Sequence, residues 1–271
     1  MSLIETEWLD KNLRDVKIID CSWHMAQTQR NGFEEYKLQH IPNAIFFDLD
    51  KNSDKDTNLP HMLVKIDEWE KIVSKMGIKE NDKIVIYDNS DVISSCRCWF
   101  NFIYFGHDPK LVNVLNGGFK KWVSEKRQIT NEKTIIKISN YKSFEKNKLV
   151  KNKMEIDQNI DNQNFKVIDA RSLERFRGKV SEPRKGLRSG SIKNSFCVPF
   201  NQCLNNDKTF KNPEELKNIF KTCLKDINEE NIVFSCGSGV TACVLALAYS
   251  LINDKYLPCI YDGSWAEYGL I

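Results

Sequence analysis

"NIVFSCGSGVTACVLALAYSLIN", residues 231–253, sets a strand, a loop and a helix in immediate succession. The β-branched run before Cys236 reads as a buried strand, and the pattern from about Val240 through Ile252 reads as a long helix. Gly237 and Gly239 let the backbone between them curl close to the sulfur, with no Cβ in the way. A buried strand that feeds a helix through a tight loop is the unit of a parallel α/β sheet, whose ligands sit beyond the carboxyl ends of the strands. Cys236 occupies that place.

Working outward, the unit recurs. "KIVIYDNS" at 83–90 matches "NIVFSCGS" at 231–238, and "KIIDCSWHM" at 17–25 returns as "KVIDARSLERF" at 166–176. "HIPNAIFFDLD" at 40–50 returns more loosely as "SIKNSFCVPF" at 191–200, and "VLNGGFKKW" at 114–122 as "CIYDGSWAEY" at 259–268. The four matches are collinear, with a nearly constant offset of about 150 residues, the sign of a duplicated domain. Each copy alternates apolar strands with amphipathic helices such as "DEWEKIVSKMG" and "NPEELKNIFKTCL", the second opened by Asn212 as cap and Pro213 at the first helical position. The expectation is an α/β protein of two tandem domains, 1–126 and 154–271, each a parallel sheet flanked by helices. The lysine- and asparagine-rich segment 127–153 reads as a surface linker.

Composition narrows the class. Forty basic and 37 acidic residues are well mixed and leave a net charge of +3, so neither nucleic acid nor an anionic membrane is called for as a partner. The apolar run "ACVLALAYSLI" is too short to cross a bilayer, so no membrane is expected. Nine cysteines without framework spacing, and a start lacking a signal peptide, fit a reducing, cytoplasmic setting. No C-x-x-C pair offers a zinc site, and the "CRC" at 96–98 has no histidine in register; no metal and no cofactor are expected.

At Cys236 the chemistry becomes specific. The helix after the loop directs unpaired amides and a positive dipole end at the sulfur, which favours thiolate and any bound anion. The hydroxyls of Ser238 and Thr241 add donors beside the amides of Gly237, Gly239 and Val240. A buried, inert thiol accounts well for Cys223, Cys243 and Cys259. It does not account for two glycines beside a thiol between strand and helix. A cysteine-dependent phosphatase would need an arginine where the chain has Ala242, and nothing in the loop is cationic.

"CGSGVTA", "DARSLERFRGKVSEPRKGLRSG" at 169–190, "HIPNAIFFDLD", "FGH…VLNGGFKKW" at 105–122 and "YDGSWAEYG" at 261–269 together resemble the two-domain rhodanese-type sulfurtransferases, most closely their 3-mercaptopyruvate sulfurtransferase branch. The likeness covers nearly all of the chain except the linker. It implies a ping-pong enzyme in which Cys236 takes sulfur from 3-mercaptopyruvate as a persulfide, releases pyruvate, and passes the sulfur to a small thiol, a thioredoxin-like protein or cyanide. It places carboxylate-binding arginines at Arg175 and Arg184, which local sequence does not single out from the other cations of that segment. It also implies a proton relay of Ser238, His61 and Asp50, with His61 and Asp50 in the first domain and the site at the domain interface. The alternatives are a thiosulfate sulfurtransferase, whose loop typically carries Arg and Lys after the cysteine, and a non-catalytic persulfide carrier.

Two features depart from the family pattern. Ser191 stands where a histidine is usual in the second "HIP"-type turn, and the proline of that turn is missing. In the first copy Asp88 aligns with Cys236, followed by a loop that reads about two residues short of the family's version. An aspartate cannot carry a persulfide, so the first domain reads as non-catalytic. Of the remaining histidines, His40 opens a buried turn, His107 follows a helix, and His24 has no partner legible in the sequence.

Overall fold

The computed structural model describes residues 2–271. The chain forms two compact units, one of Met1–Asp54, Leu63–Lys146 and Asn206–Thr209, the other of Lys55–Met62, Asn147–Asn205 and Phe210–Ile271. Lys55–Met62, which the sequence assigns to the first copy, thus packs with the second, and Asn206–Thr209 packs with the first.

The first unit runs β1 (Leu3–Ile4), α1 (Thr6–Lys11), β2 (Lys17–Asp20), α2 (Gly32–Leu38), β3 (Ala44–Phe46), α3 (Ile66–Lys75), β4 (Ile84–Tyr87), α4 (Ser95–Tyr104), β5 (Val112–Leu115) and α5 (Gly118–Ser124). The second runs β6 (Val150–Lys151), α6 (Lys153–Asn162), β7 (Lys166–Asp169), α7 (Leu173–Phe176), β8 (Phe196–Cys197), α8 (Pro213–Phe220), β9 (Ile232–Ser235), α9 (Val240–Ser250), β10 (Ile260–Tyr261) and α10 (Ser264–Tyr268). The two sheets have the orders β1-β5-β4-β2-β3 and β6-β10-β9-β7-β8, and all their pairings are parallel. Strand for strand this is one topology used twice, as the collinear sequence matches require.

Both faces of each sheet are covered, which is why the strands read as unbroken apolar runs. In the first unit Ile18, Val85, Tyr87, Leu115 and Trp122 pack together, while Trp69 of α3 stacks on Phe105 with ring centroids 4.7 Å apart. In the second, Val167, Val233, Tyr261 and Trp265 share one cluster, and the rings of Phe220, Phe234, Tyr249 and Tyr256 meet in another. From Ala242 to Tyr249 α9 is buried without interruption, as befits a helix apolar all round. At α8 the side chain of Asn212 accepts from the Glu215 N–H and Glu215 reaches back to the Asn212 N–H, a closed capping box with Pro213 inside it.

Two expectations meet their geometry in the turns and the linker. Asn43 and Asn194, aligned in the repeat, both hold left-handed backbone, with φ of 66° and 61°. The turn therefore survives in the second copy without proline, because asparagine tolerates that conformation and the Asn194 amide donates to the Ile160 carbonyl at 3.0 Å. The linker lies on the first unit as far as Lys146: Tyr141 is buried and stacked on His107, and Ser139 N–H donates to the Ser74 carbonyl. His24 does have a partner, its Nε2 lying 3.2 Å from Glu35. Among the described residues no helix is long and apolar enough to cross a membrane, and no group of three or more acidic, histidine or cysteine side chains could hold a metal.

Candidate active site

Cys236 follows the last residue of β9 and is buried, 2% exposed. Gly239, at a φ of 74°, turns the chain into α9 as its N-cap and brings no side chain to cap the helix. The first amides of α9 are thus left to whatever anion sits at the sulfur.

The loop is held by α10. Trp265 N–H donates to the Cys236 carbonyl and Ala266 N–H to the Gly237 carbonyl, both at 2.9 Å. The hydroxyl oxygen of Ser264 accepts from the N–H groups of Cys236, at 3.1 Å, and Gly239, at 3.2 Å, while its proton goes to the Tyr261 carbonyl at 2.8 Å. Ser264 is fully buried and has a φ of 49°. The aligned residue of the first unit is Gly118, with a φ of 56°, and there Phe119 N–H donates to the Asp88 carbonyl at 2.9 Å. The same lock exists in both copies, but only the second fills a glycine's conformation with a serine. Backbone strain tolerated by a non-glycine residue beside a reactive loop points to use of its side chain.

Three cation or proton-bearing groups converge on the loop. A Cβ placed on Gly237 would lie 3.3 Å from Arg175 Nη2 and 3.7 Å from Arg184 Nη1, so both guanidinium groups face its Cα. Arg184 Nη2 donates to Ser238 Oγ at 3.3 Å, and His61 Nδ1 lies 3.0 Å from the same oxygen. A guanidinium can only donate, so Ser238 accepts from Arg184 and has its own proton to give to His61. His61 is buried and holds a φ of 63°, and its segment belongs to the second unit, so the Ser238–His61 contact lies within one compact body.

The structure therefore brings together Cys236, Gly237, Ser238, Gly239, Val240, Thr241, Arg175, Arg184 and His61 in the second unit. Asp50 lies in the first unit, where its Oδ2 accepts from the Trp23 indole N–H at 2.9 Å. Sequence reasoning passed over two residues. Glu182 accepts from Arg175 Nη2 at 2.5 Å and from Arg171 Nη1 at 2.8 Å, and Arg171 forks in turn onto Asp169. Ser264 is the other; its signal lay in the repeat, at the one point where Gly118 becomes serine.

At the position of Cys236 the first unit has Asp88, whose carboxylate accepts from the N–H groups of Ser90 at 2.7 Å and Ser95 at 2.9 Å, and burial raises its pKa above the ordinary carboxylate value. Among the other thiols, burial pushes Cys197, Cys203 and Cys259 up to about 12 and Cys223 up to about 11, which keeps these four protonated.

The sequence profile of the rhodanese-like domain matches residues 5–125 and 153–270. The chain is 38% identical over 98% of its length to "Thiosulfate/3-mercaptopyruvate sulfurtransferase 1, mitochondrial" of Arabidopsis thaliana, of which it covers 75%. To the 3-mercaptopyruvate sulfurtransferase of Mus musculus it is 34% identical over 98% of its length, covering 91% of that protein. The thiosulfate sulfurtransferase of Rattus norvegicus is 33% identical with the same coverage. The crystal structure of the Escherichia coli 3-mercaptopyruvate sulfurtransferase SseA superimposes with a TM-score of 0.86 at 28% identity, over 98% of this chain and all of that one. With one matched domain in each half and relatives at this identity along nearly its whole length, the chain belongs to the rhodanese family.

Proposed function

We propose that the chain is a 3-mercaptopyruvate sulfurtransferase with Cys236 as the sulfur carrier. The observation that carries this reading is the convergence on an uncharged Gly237–Ser238 pair of two guanidinium groups and of a serine bonded to a histidine. Forked cations suit a carboxylate beside a carbonyl, and the loop itself adds no charge that would call for a dianion.

The Cys236 thiolate attacks the sulfur of 3-mercaptopyruvate, an S–S bond forms, and the carbon–sulfur bond breaks. The bonding pair passes to the substrate carbon as the enolate of pyruvate. That enolate takes a proton through Ser238, which His61 replenishes, and leaves as pyruvate. Asp50 is the third member of this relay in the proposal, to be tested by Asp50→Asn. Amide donors from the start of α9 stabilise negative charge on the Cys236 thiolate and on its persulfide. A thiol acceptor, small or thioredoxin-like, then takes the outer sulfur as its own persulfide and returns Cys236 to the thiol; cyanide takes it as thiocyanate. A cytoplasmic location belongs to the same proposal, to be tested by fractionation.

Mass spectrometry after donor addition tests the reading. One added sulfur, about 32 Da, is expected on Cys236 and on none of the other eight cysteines, together with pyruvate release that Cys236→Ser abolishes. Sulfur on Cys96 or Cys98 would overturn it. A higher kcat/KM with thiosulfate would assign the chain to the other branch of its relatives, and sulfur uptake from a partner protein without pyruvate release would make it a carrier.

A further inference from the structure

Arg175, one of the two arginines that face Gly237, is not an isolated cation. Its Nη2 and Nε donate to the two oxygens of Glu182 at 2.5 and 3.3 Å, and the Glu182 side chain is 2% exposed. Glu182 shares its Oε1 with Arg171 Nη1 at 2.8 Å; Arg171 is itself buried, forked onto Asp169 and bonded to the Gly190 carbonyl at 2.8 Å. The Arg171 guanidinium lies over the Trp265 ring, 4.3 Å from its centroid, and Trp265 is the residue whose N–H fixes the Cys236 carbonyl. A rigid row Asp169–Arg171–Glu182–Arg175 thus runs from the end of β7 to the reactive loop. Its four charges sum to zero.

We propose that Glu182 is a positioning residue that sets donor specificity: it aims the Arg175 fork at the loop and cancels that arginine's charge, so the site prefers a monoanionic 2-oxo carboxylate donor to a dianionic one. The inference rests on the sulfurtransferase reading above and adds a determinant outside the loop. Two physical effects combine in it. A bidentate carboxylate fixes the plane of the guanidinium, so the face offered to a substrate carboxylate is preset and costs little ordering on binding. A buried negative charge one residue behind that face also weakens the field felt by any anion there, and a dianion loses twice what a monoanion loses.

The test compares kcat/KM for 3-mercaptopyruvate and thiosulfate in the full chain and in Glu182→Gln, which keeps size and one acceptor but drops the charge. The ratio of thiosulfate to mercaptopyruvate efficiency is expected to rise about tenfold, from one unit of positive charge unmasked near the anion. A residue with a merely structural role would lower both efficiencies together, so an unchanged ratio overturns the proposal. Glu182→Asp keeps the charge but shortens the arm, so the mercaptopyruvate KM is expected to rise about fivefold with kcat and the melting temperature held. Should Glu182→Gln fail to fold by circular dichroism, Glu182→Asp decides alone: an unchanged KM, or a fall in kcat and melting temperature in its place, refutes it. If the unsubstituted chain releases no pyruvate at all, the functional reading has failed; if it does and the ratio stays put, only the role of Glu182 has failed.

Discussion

Ser264→Ala, set beside Ser264→Gly, tests whether the reactive loop depends on one hydroxyl. In the native chain that oxygen accepts from the amides of Cys236 and Gly239 and donates to the Tyr261 carbonyl, all of it inaccessible to water. Alanine removes three hydrogen bonds and leaves two buried N–H groups without an acceptor, at about 1–3 kcal/mol each when no water replaces the oxygen. A loss of roughly 2–4 kcal/mol follows for the second unit, after some relaxation of the loop. Glycine removes the same bonds but is at ease at a φ of 49°, recovering about 1 kcal/mol of backbone cost. Differential scanning calorimetry should therefore show both variants melting lower, Ser264→Ala by about 10 °C and Ser264→Gly by a few degrees less. The rate of Cys236 alkylation by iodoacetamide should fall in both, since amides released from Ser264 no longer hold the curl around the sulfur. Melting within 2 °C of the native protein, about half a kcal/mol on this scale, combined with unchanged alkylation, would refute the lock.

Ser238→Ala should cost about tenfold or more in kcat with mercaptopyruvate and less with thiosulfate, whose departing sulfite needs no protonated carbon; equal losses with the two donors would reduce Ser238 to a loop donor. Gly237→Ala brings a methyl group to 3.3 Å from Arg175 Nη2 and should raise the mercaptopyruvate KM several-fold with little change in melting temperature, whereas an unchanged KM would mean that the arginines do not bind the donor. In the first unit, burial raises Asp20 to about 7, against about 3.9 in an unfolded chain. Its contribution to stability is full below the unfolded value and is lost as the pH rises toward 7, because the folded state keeps a proton that the unfolded state releases. Asp20→Asn, which still accepts from Ser22, should therefore gain in melting temperature relative to the native chain between pH 5 and pH 8; a constant difference across that range would show that Asp20 does not titrate there.

The fold was largely legible because it was written twice. The apolar runs ending at Asp20, Tyr87, Asp169 and Ser235 needed only their β-branched residues to be read as buried strands, and the repeat set their order. Cys236 was legible because glycines beside a thiol at a strand's end have few structural uses. The arginines were not separable by local pattern: Arg175 and Arg184 stand among cations whose difference is only where the 169–190 segment points them. Glu182 was invisible for a related reason, one of three acids in a basic segment, whose role depends on Arg171 and Arg175 flanking it in space. His61 needed a left-handed backbone and a partner 177 residues away, neither of which a short window of sequence contains.

That last separation bears on how the protein is made. A ribosome releases Lys55–Met62 long before the strands with which this segment finally clusters exist, so the piece carrying His61 precedes β7 and β9, the strands of its own unit, in the chain. Cutting the gene at the lysine-rich linker, where it looks divisible, would yield a carboxyl-terminal fragment that keeps its cysteine and both arginines but lacks the histidine. The duplication supplied two similar halves; with Lys55–Met62 and Asn206–Thr209 exchanged, neither half of the gene encodes a whole compact unit.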